Sequence, residues 1–387
     1  MAAIPKFPRR SRWVVPAGIV AAVAAVGIAS AITVAQAAPA LPPRTPAQLL
    51  AAVAGPGKVP PLTGTVVETA SLGIPQLPGS QDPTQITSLL AGSHTLKVWY
   101  DGPKRMRLAV PVTLDETDFI RNGSTAWLWE SNADSVMKIL IPKRADGDRE
   151  PVMPPTALTP QQAAKQALAA VGPSTRVTAE ANVTVAGQAA YQLVLAPKGS
   201  GSLIGKVTIA LDAQHLTVPL RVQVFARGAA TPAFQVGYTS ISFVTPAASN
   251  FAFTPPAGAR VHTVTLPSSG HAPYQQQRKL SGVRIVGKDW TSVAVLPASA
   301  LSEVAGRGNA AGIAGQAARS ASGGGGEVSG TAVLGTLLHA AHPVHGAWGS
   351  GNLLRTSLVS MLMTSNGHVL IGAVAPSVLY AAAAQVK

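Results

Sequence analysis

Two short stretches constrain the fold of this chain more than any other: Val98-Trp99-Tyr100-Asp101-Gly102-Pro103-Lys104-Arg105-Met106-Arg107-Leu108 and Arg121-Asn122-Gly123-Ser124-Thr125-Ala126-Trp127-Leu128-Trp129-Glu130. Asp101-Gly102 and Asn122-Gly123 are dipeptides that accept positive φ at both central positions of a type I′ turn. Each is flanked by alternating apolar residues, so the spacing predicts consecutive antiparallel strands. Successive side chains on a strand point to opposite faces. Met106, Leu108 and Val110 therefore share one face against Arg105 and Arg107, and Trp127 and Trp129 share a face further on. One face is apolar and the other wet.

The same pattern continues along the chain. Strand-like segments fall at Thr63–Ser71, His94–Tyr100, Arg105–Val110, Asp118–Ile120, Ala126–Glu130 and Val136–Ile141, and again at Arg176–Val185, Ala189–Leu195, Lys206–Asp212, Pro219–Arg227, Ala233–Thr239 and Ser240–Val244. Thr45 before Pro46 predicts a short helix to about Ala54, and Thr159-Pro160-Gln161-Gln162 opens a second through about Val171. About a dozen strands with two helices is the content of a large curved antiparallel sheet or open barrel. The prolines between Asn250 and Val261 are expected to stop the sheet. A polar stretch, Pro267 to Leu280, reads as a linker. A smaller domain follows, with strands near Val283–Val286 and Ser292–Leu296, a helix from Ala298, the flexible Ser322–Gly326 loop, two strands joined at Asn366-Gly367 and a helix from Ser377 through Ala384. The expected domains are thus 1–38 (export segment), 39–264, 265–281 (linker) and 282–387.

Lys6, Arg9, Arg10 and Arg12 precede an uncharged run from Val14 to Ala35, which ends in Ala35-Gln36-Ala37-Ala38-Pro39. A basic end, an apolar run and a small-x-small site make an export signal. The run also reaches the roughly twenty residues that span a bilayer, so a cleaved signal peptide and an uncleaved transmembrane anchor, residues 14–35, both fit. Either way the bulk of the protein is expected on the outer face of the cytoplasmic membrane or secreted. With 47% apolar residues the chain has ample material for a core. The absence of cysteine excludes a disulfide framework, thiol catalysis and a lipid-modified N-terminal cysteine. The formal charge of +14 is spread along the sequence rather than clustered. That favours attraction to an anionic envelope surface over a nucleic-acid partner.

With these residues in view, the chain resembles the LolA-like proteins, which include the periplasmic lipoprotein carrier and the RseB/MucB-type sigma-factor regulatory proteins. The resemblance is carried by Val98–Pro103 with its Arg-rich strand, Asn122–Trp129, Tyr191–Leu195, Pro219–Val222 and Phe253–Gly258, within about 45–262. Gly346 to Arg355 resembles the tail of actinobacterial two-domain members. The fold it implies is mainly β (α+β): a half-open curved antiparallel β-barrel with lid helices, whose interior holds acyl chains, plus a small C-terminal α+β domain. The carrier has an Arg just before the proline of its first motif, where this chain has Asp101-Gly102. A second domain fits the regulator layout. The implied partners are the acyl chains of a lipid or lipoprotein, with the protein as carrier or sensor, or the outward-facing domain of a membrane anti-sigma factor.

Two readings of Trp99, Met106, Leu108, Trp127, Trp129, Met137 and Ile139 stay open: a ligand cavity lined by rigid aromatics and flexible Met, or ordinary sheet-to-helix core. His339, His342 and His345 recur every third residue, but Pro343 breaks any helix that would align them, so they read as loop histidines rather than metal ligands. Asp115, Glu116 and Asp118 lack calcium-loop spacing and read as a solvated loop. No nucleophile elbow, zinc-protease helix or phosphate-binding loop occurs, so neither catalysis nor a cofactor is expected.

Overall fold

The computed structural model describes residues 39–55, 57–73, 91–112, 115–142, 158–169, 171–266, 283–297 and 340–386. Residues from Ala40 onward form one compact unit. That unit carries two sheets. The export segment, the helix expected from Ala298, the glycine loop, His339 and nearly all of the linker lie outside the described residues.

The first sheet is large, curved and almost wholly antiparallel. Its twelve strands are β1 (Leu62–Ser71), β2 (Ala91–Tyr100), β3 (Arg105–Val112), β4 (Asp115–Asn122), β5 (Thr125–Glu130), β6 (Ser135–Leu140), β7 (Thr175–Val185), β8 (Gln188–Pro197), β9 (Ile204–Asp212), β10 (Pro219–Ala226), β11 (Phe234–Ser242) and β12 (Arg260–Thr265). The spatial order is β12-β6-β5-β4-β3-β2-β1-β11-β10-β9-β8-β7. Two consecutive meanders, β1 to β6 and β7 to β11, are thus joined side by side through β1 and β11. The β1 pattern shows why these residues form a strand: Leu62, Gly64, Val66, Glu68 and Ala70 are buried and alternate with half-buried Thr63, Thr65, Val67 and Thr69.

Several expectations are corrected. Residues 250–261 do not end the sheet, because β12 adds to β6 as a parallel edge strand, with Arg260 opposite Ser135 and Thr265 opposite Leu140. The prolines end before Arg260, leaving six residues able to pair. Asp115 to Asp118 is not a loop but the start of β4, and its ladder to β3 begins at Asp115. The two segments expected at 233–244 are one strand, β11, which runs on through a bulge at its own Thr239, the extra residue opposite Thr65/Val66 of β1. Neither expected turn is type I′. Asp101 to Lys104 is a four-residue connection with positive φ at Gly102, and the β4–β5 turn is centred on Gly123-Ser124 with positive φ at Gly123 alone. The turn with positive φ at both central residues is Ala186-Gly187, between β7 and β8.

Two helices accompany this sheet. Helix α1 (Pro46–Ala54) starts in a capping box in which Thr45 accepts from the Gln48 N–H and Gln48 accepts from the Thr45 N–H. Helix α2 (Pro160–Ala169) uses Thr159 and Gln162 in the same way. Helix α1 packs on β7 and β8, and α2 mainly on β10 and β11. Under them lie Leu193, Leu195, Ile209, Leu211 and Leu220, all fully buried, each contributing roughly 1.5–3 kcal/mol by its removal from water.

The second sheet has the order β13-β14-β18-β17-β16-β15, from β13 (Arg284–Val286), β14 (Val293–Pro297), β15 (His342–Gly346), β16 (Gly349–Arg355), β17 (Ser360–Thr364) and β18 (His368–Gly372), and α3 (Pro376–Ala383) packs on β17 and β18. The strands expected to meet at Asn366-Gly367 do so. His342 and His345 are not loop residues but exposed positions of β15, on opposite faces because they are an odd number of positions, three, apart. Pro343 is tolerated there because β15 ends the strand order.

Candidate functional site

Strand register divides the seven candidate residues between the two faces of β1–β6. On the inner face one row runs Leu62, Tyr100, Met106, Arg121, Ala126, Ile139, each opposite the next on the neighbouring strand, and a second runs Gly64, Val98, Leu108, Phe119, Leu128, Met137. Met106, Leu108, Met137 and Ile139 therefore belong together. Met106, Leu108 and Ile139 join the same apolar layer as Leu193, Ile209 and Val222 of the other half of the sheet, together with Leu49 of α1 and Ala164 of α2, and Met137 is buried in the same row as Leu108, opposite Leu128.

Trp99, Trp127 and Trp129 lie on the outer face, because each sits one residue out of phase with those rows. Trp99 is opposite Arg107, Arg107 opposite Ile120, Ile120 opposite Trp127, and Trp127 opposite Lys138. The Arg107 guanidinium lies 5.2 Å from the Trp99 ring centre, and the Lys138 ammonium 5.2 Å from that of Trp127. Phe253 packs on Trp127 at 5.5 Å. Arg107 also pairs with Glu116 and with buried Asp118. Burial pushes the Asp118 carboxyl up to about 6, although Arg107 pulls it down. The tryptophans thus form a separate outer layer, half-buried and threaded with charge.

The inner face holds polar groups that the sequence reading passed over. Glu68 on β1 is buried at an inward position and directly opposite His94 on β2. Its carboxyl accepts a hydrogen bond from the backbone N–H of Leu158, at the entry to α2, and burial pushes it up to about 7. Burial also lowers the His94 imidazole, whose Nδ1 is buried without a hydrogen-bond partner. Arg121 is buried further along, and its Nε donates to the Gly123 carbonyl. The signal for Glu68 was available: counting by twos from Leu62 reaches it as the one charged residue in an apolar row. At the far end of the sheet, Leu41, Arg44, Leu49, Glu180, Tyr191 and Gln192 border a pocket of about 150 Å³, and Tyr191 fixes the incoming chain by donating to the Pro42 carbonyl at 2.8 Å.

No family model matches the sequence, and no curated protein matches it either. Solved structures do. The chain is similar to MucB. In the complex of Pseudomonas aeruginosa MucA and MucB the match has 15% identity and a TM-score of 0.38, covering 87% of this chain and 94% of that one. A LolA superfamily protein from Nitrosomonas europaea matches at 10% identity and a TM-score of 0.21, over 55% of this chain and 99% of that one. A putative outer membrane lipoprotein-sorting protein domain from Vibrio parahaemolyticus matches at 13% and 0.19, over 53% and 92%. Among the described residues no helix is long and apolar enough to cross a membrane, and no group of three or more His, Asp or Glu is placed to hold a metal.

Proposed function

We propose that this is an extracytoplasmic binding protein that takes acyl chains of a lipid or lipoprotein against the inner face of a half-open barrel, as a carrier or sensor, and that it acts by binding rather than turnover. The observation that carries this reading is the inner face of β2–β6. Met106, Leu108, Leu128 and Ile139 continue the apolar layer of β7–β11, with Met137 opposite Leu128 on the same face, yet the two helices rest mainly on the other half. Met106, Leu108 and Met137 are buried in this state, and in this reading α1 and α2 act as lids whose opening admits an acyl chain to that layer. Flexible Met side chains suit chains of varied shape. A sixteen-carbon chain at about 0.8 kcal/mol per methylene gains on the order of 10 kcal/mol gross, enough for strong retention. The export segment supports the compartment.

Organic extraction and mass spectrometry of the full chain, expressed with export, tests the reading beside Met137→Asp. Acyl lipid at about one equivalent, lost in the variant, is the expected result; a folded wild-type protein free of lipid sinks it. Trp127→Asp serves as the outer-face control and should keep its lipid.

A regulator that binds the outward-facing domain of a membrane anti-sigma factor is the second reading. It is favoured by the second sheet, whose end strand β13 leaves Ile285 64% exposed. An end strand can accept a partner's strand. Photo-crosslinking from Ile285 in membranes should then yield one specific membrane-protein adduct, and its absence removes this reading.

A further inference from the structure

We infer that Glu68 and His94 form the polar subsite for the head of the bound amphiphile, and that this subsite selects a hydrogen-bonding head without negative charge, such as a glyceryl ester or an amide, over a carboxylate or phosphate. The inference rests on the acyl-binding reading and adds the ligand's chemical class. Glu68 and His94 face each other across the β1–β2 ladder on the inner face, with side chains that start about 5 Å apart. Around them the face is apolar: Val66 and Ala70 flank Glu68 on β1, and Val236 lies opposite it on β11.

Both groups have hydrogen-bonding capacity left over. Glu68 receives the Leu158 N–H, and a carboxyl has further acceptor sites and, when protonated, a donor. The buried Nδ1 of His94 has no partner. A buried polar atom without a partner is costly, so a polar ligand group placed between the two side chains recovers that cost.

Charge decides which head fits. By alternation, the inward-facing charged residues of β1 to β5 are Glu68, His94, Asp115 and Glu130 at one end of the strands and Arg121 at the other. Arg121 shares its row with Tyr100, six residues from His94 along β2, or about 20 Å. Among the described residues of β1 to β5, an anionic head beside Glu68 and His94 thus meets no inward-facing lysine or arginine, and burying it there is unfavourable. Burial holds His94 neutral and Glu68 partly protonated near neutral pH, which leaves a site of low or negative charge.

The test is displacement of the headless fluorophore N-phenyl-1-naphthylamine from the full chain by 1-monopalmitoylglycerol and by palmitate at pH 7.5. The expected result is about tenfold tighter binding of the glyceride. His94→Phe should abolish that preference while leaving fluorophore binding within twofold, and Glu68→Gln, neutral and of the same shape, should keep it. Fluorophore binding with equal or tighter palmitate binding, or an unchanged preference in His94→Phe, overturns the subsite alone. Failure of the fluorophore and both lipids to bind overturns the acyl-binding reading and the subsite with it.

Discussion

Glu68 is held at a cost that depends on pH. Its carboxyl lies above its ordinary value because burial penalises the charged form, so the neutral form favours the folded state. That contribution is fully present below about 4.5 and is lost as pH rises through about 7. Glu68→Gln should therefore raise stability by roughly 1–2 kcal/mol at pH 8 and leave it nearly unchanged at pH 4, as read by urea unfolding at both values. An equal effect at the two pH values would argue against burial as the cause. A second residue carries conformational strain instead. Ala186 sits at φ 51 in the β7–β8 turn, a region in which asparagine and glycine are far more at ease. Ala186→Asn should stabilise by about 0.5–1 kcal/mol in thermal unfolding, whereas Gly187→Ala should destabilise. Residues of this kind were the least legible in the sequence. The rule that Asn-Gly and Asp-Gly mark type I′ turns pointed to 101–102 and 122–123, and the double positive φ fell on Ala186-Gly187, where neighbouring strands impose it.

At the scale of elements the alternation of apolar residues was a sound guide, because a strand with one buried face writes its phase into the chain. The phase also carried information that the motif reading did not use. The stretch Trp127-Leu128-Trp129 places Leu128 inside and both tryptophans outside, so a cavity assembled from residue type alone mixed two faces. Strand ends were harder to read where a ladder overrides polarity: β4 begins with Asp115-Glu116 because β3 supplies partners and Arg107 supplies charge. The junction of the two meanders depends on one close contact. A Cβ at Gly64 would come within 2.6 Å of the Tyr238 ring and 2.8 Å of the Ser240 carbonyl. The second neighbour is backbone and cannot turn aside. Gly64→Ala should cost about 1–3 kcal/mol and speed amide exchange along β1 and β11, while Gly64→Ala combined with Tyr238→Leu recovers only the part due to the ring.

At the scale of the molecule, the second sheet is tied to the first by hydrogen bonds from several directions. Leu203 donates to the Ala373 carbonyl at 2.9 Å and Ala375 to the Gly201 carbonyl at 2.8 Å, while Ser357 donates to the Leu72 carbonyl at 2.9 Å. Leu72, Ala233 and Leu358 add a small apolar cluster. The most specific contact is Trp290, which is buried against the first sheet's core and donates from Nε1 to the Thr175 hydroxyl at 2.7 Å; next to it Asp289, at φ 51, accepts from the Ser174 hydroxyl at 2.8 Å. None of this was visible in the sequence, where a polar linker before residue 282 suggested an independent unit. Docking depends on residues far apart in the chain, and a lone Trp in a short loop carries no period to reveal it. Trp290 is therefore the position that decides whether the two sheets respond together. Trp290→Ala should cost about 3 kcal/mol, within the range for a buried aromatic, while Thr175→Val, which keeps the shape and removes only the hydrogen bond, should cost about 1–2. If the sheets form one cooperative unit, both variants lower a single thermal transition. If docking is the weaker link, Trp290→Ala splits the transition in two, and amide exchange then accelerates in β14, β17 and β18 before it does in β8 and β9.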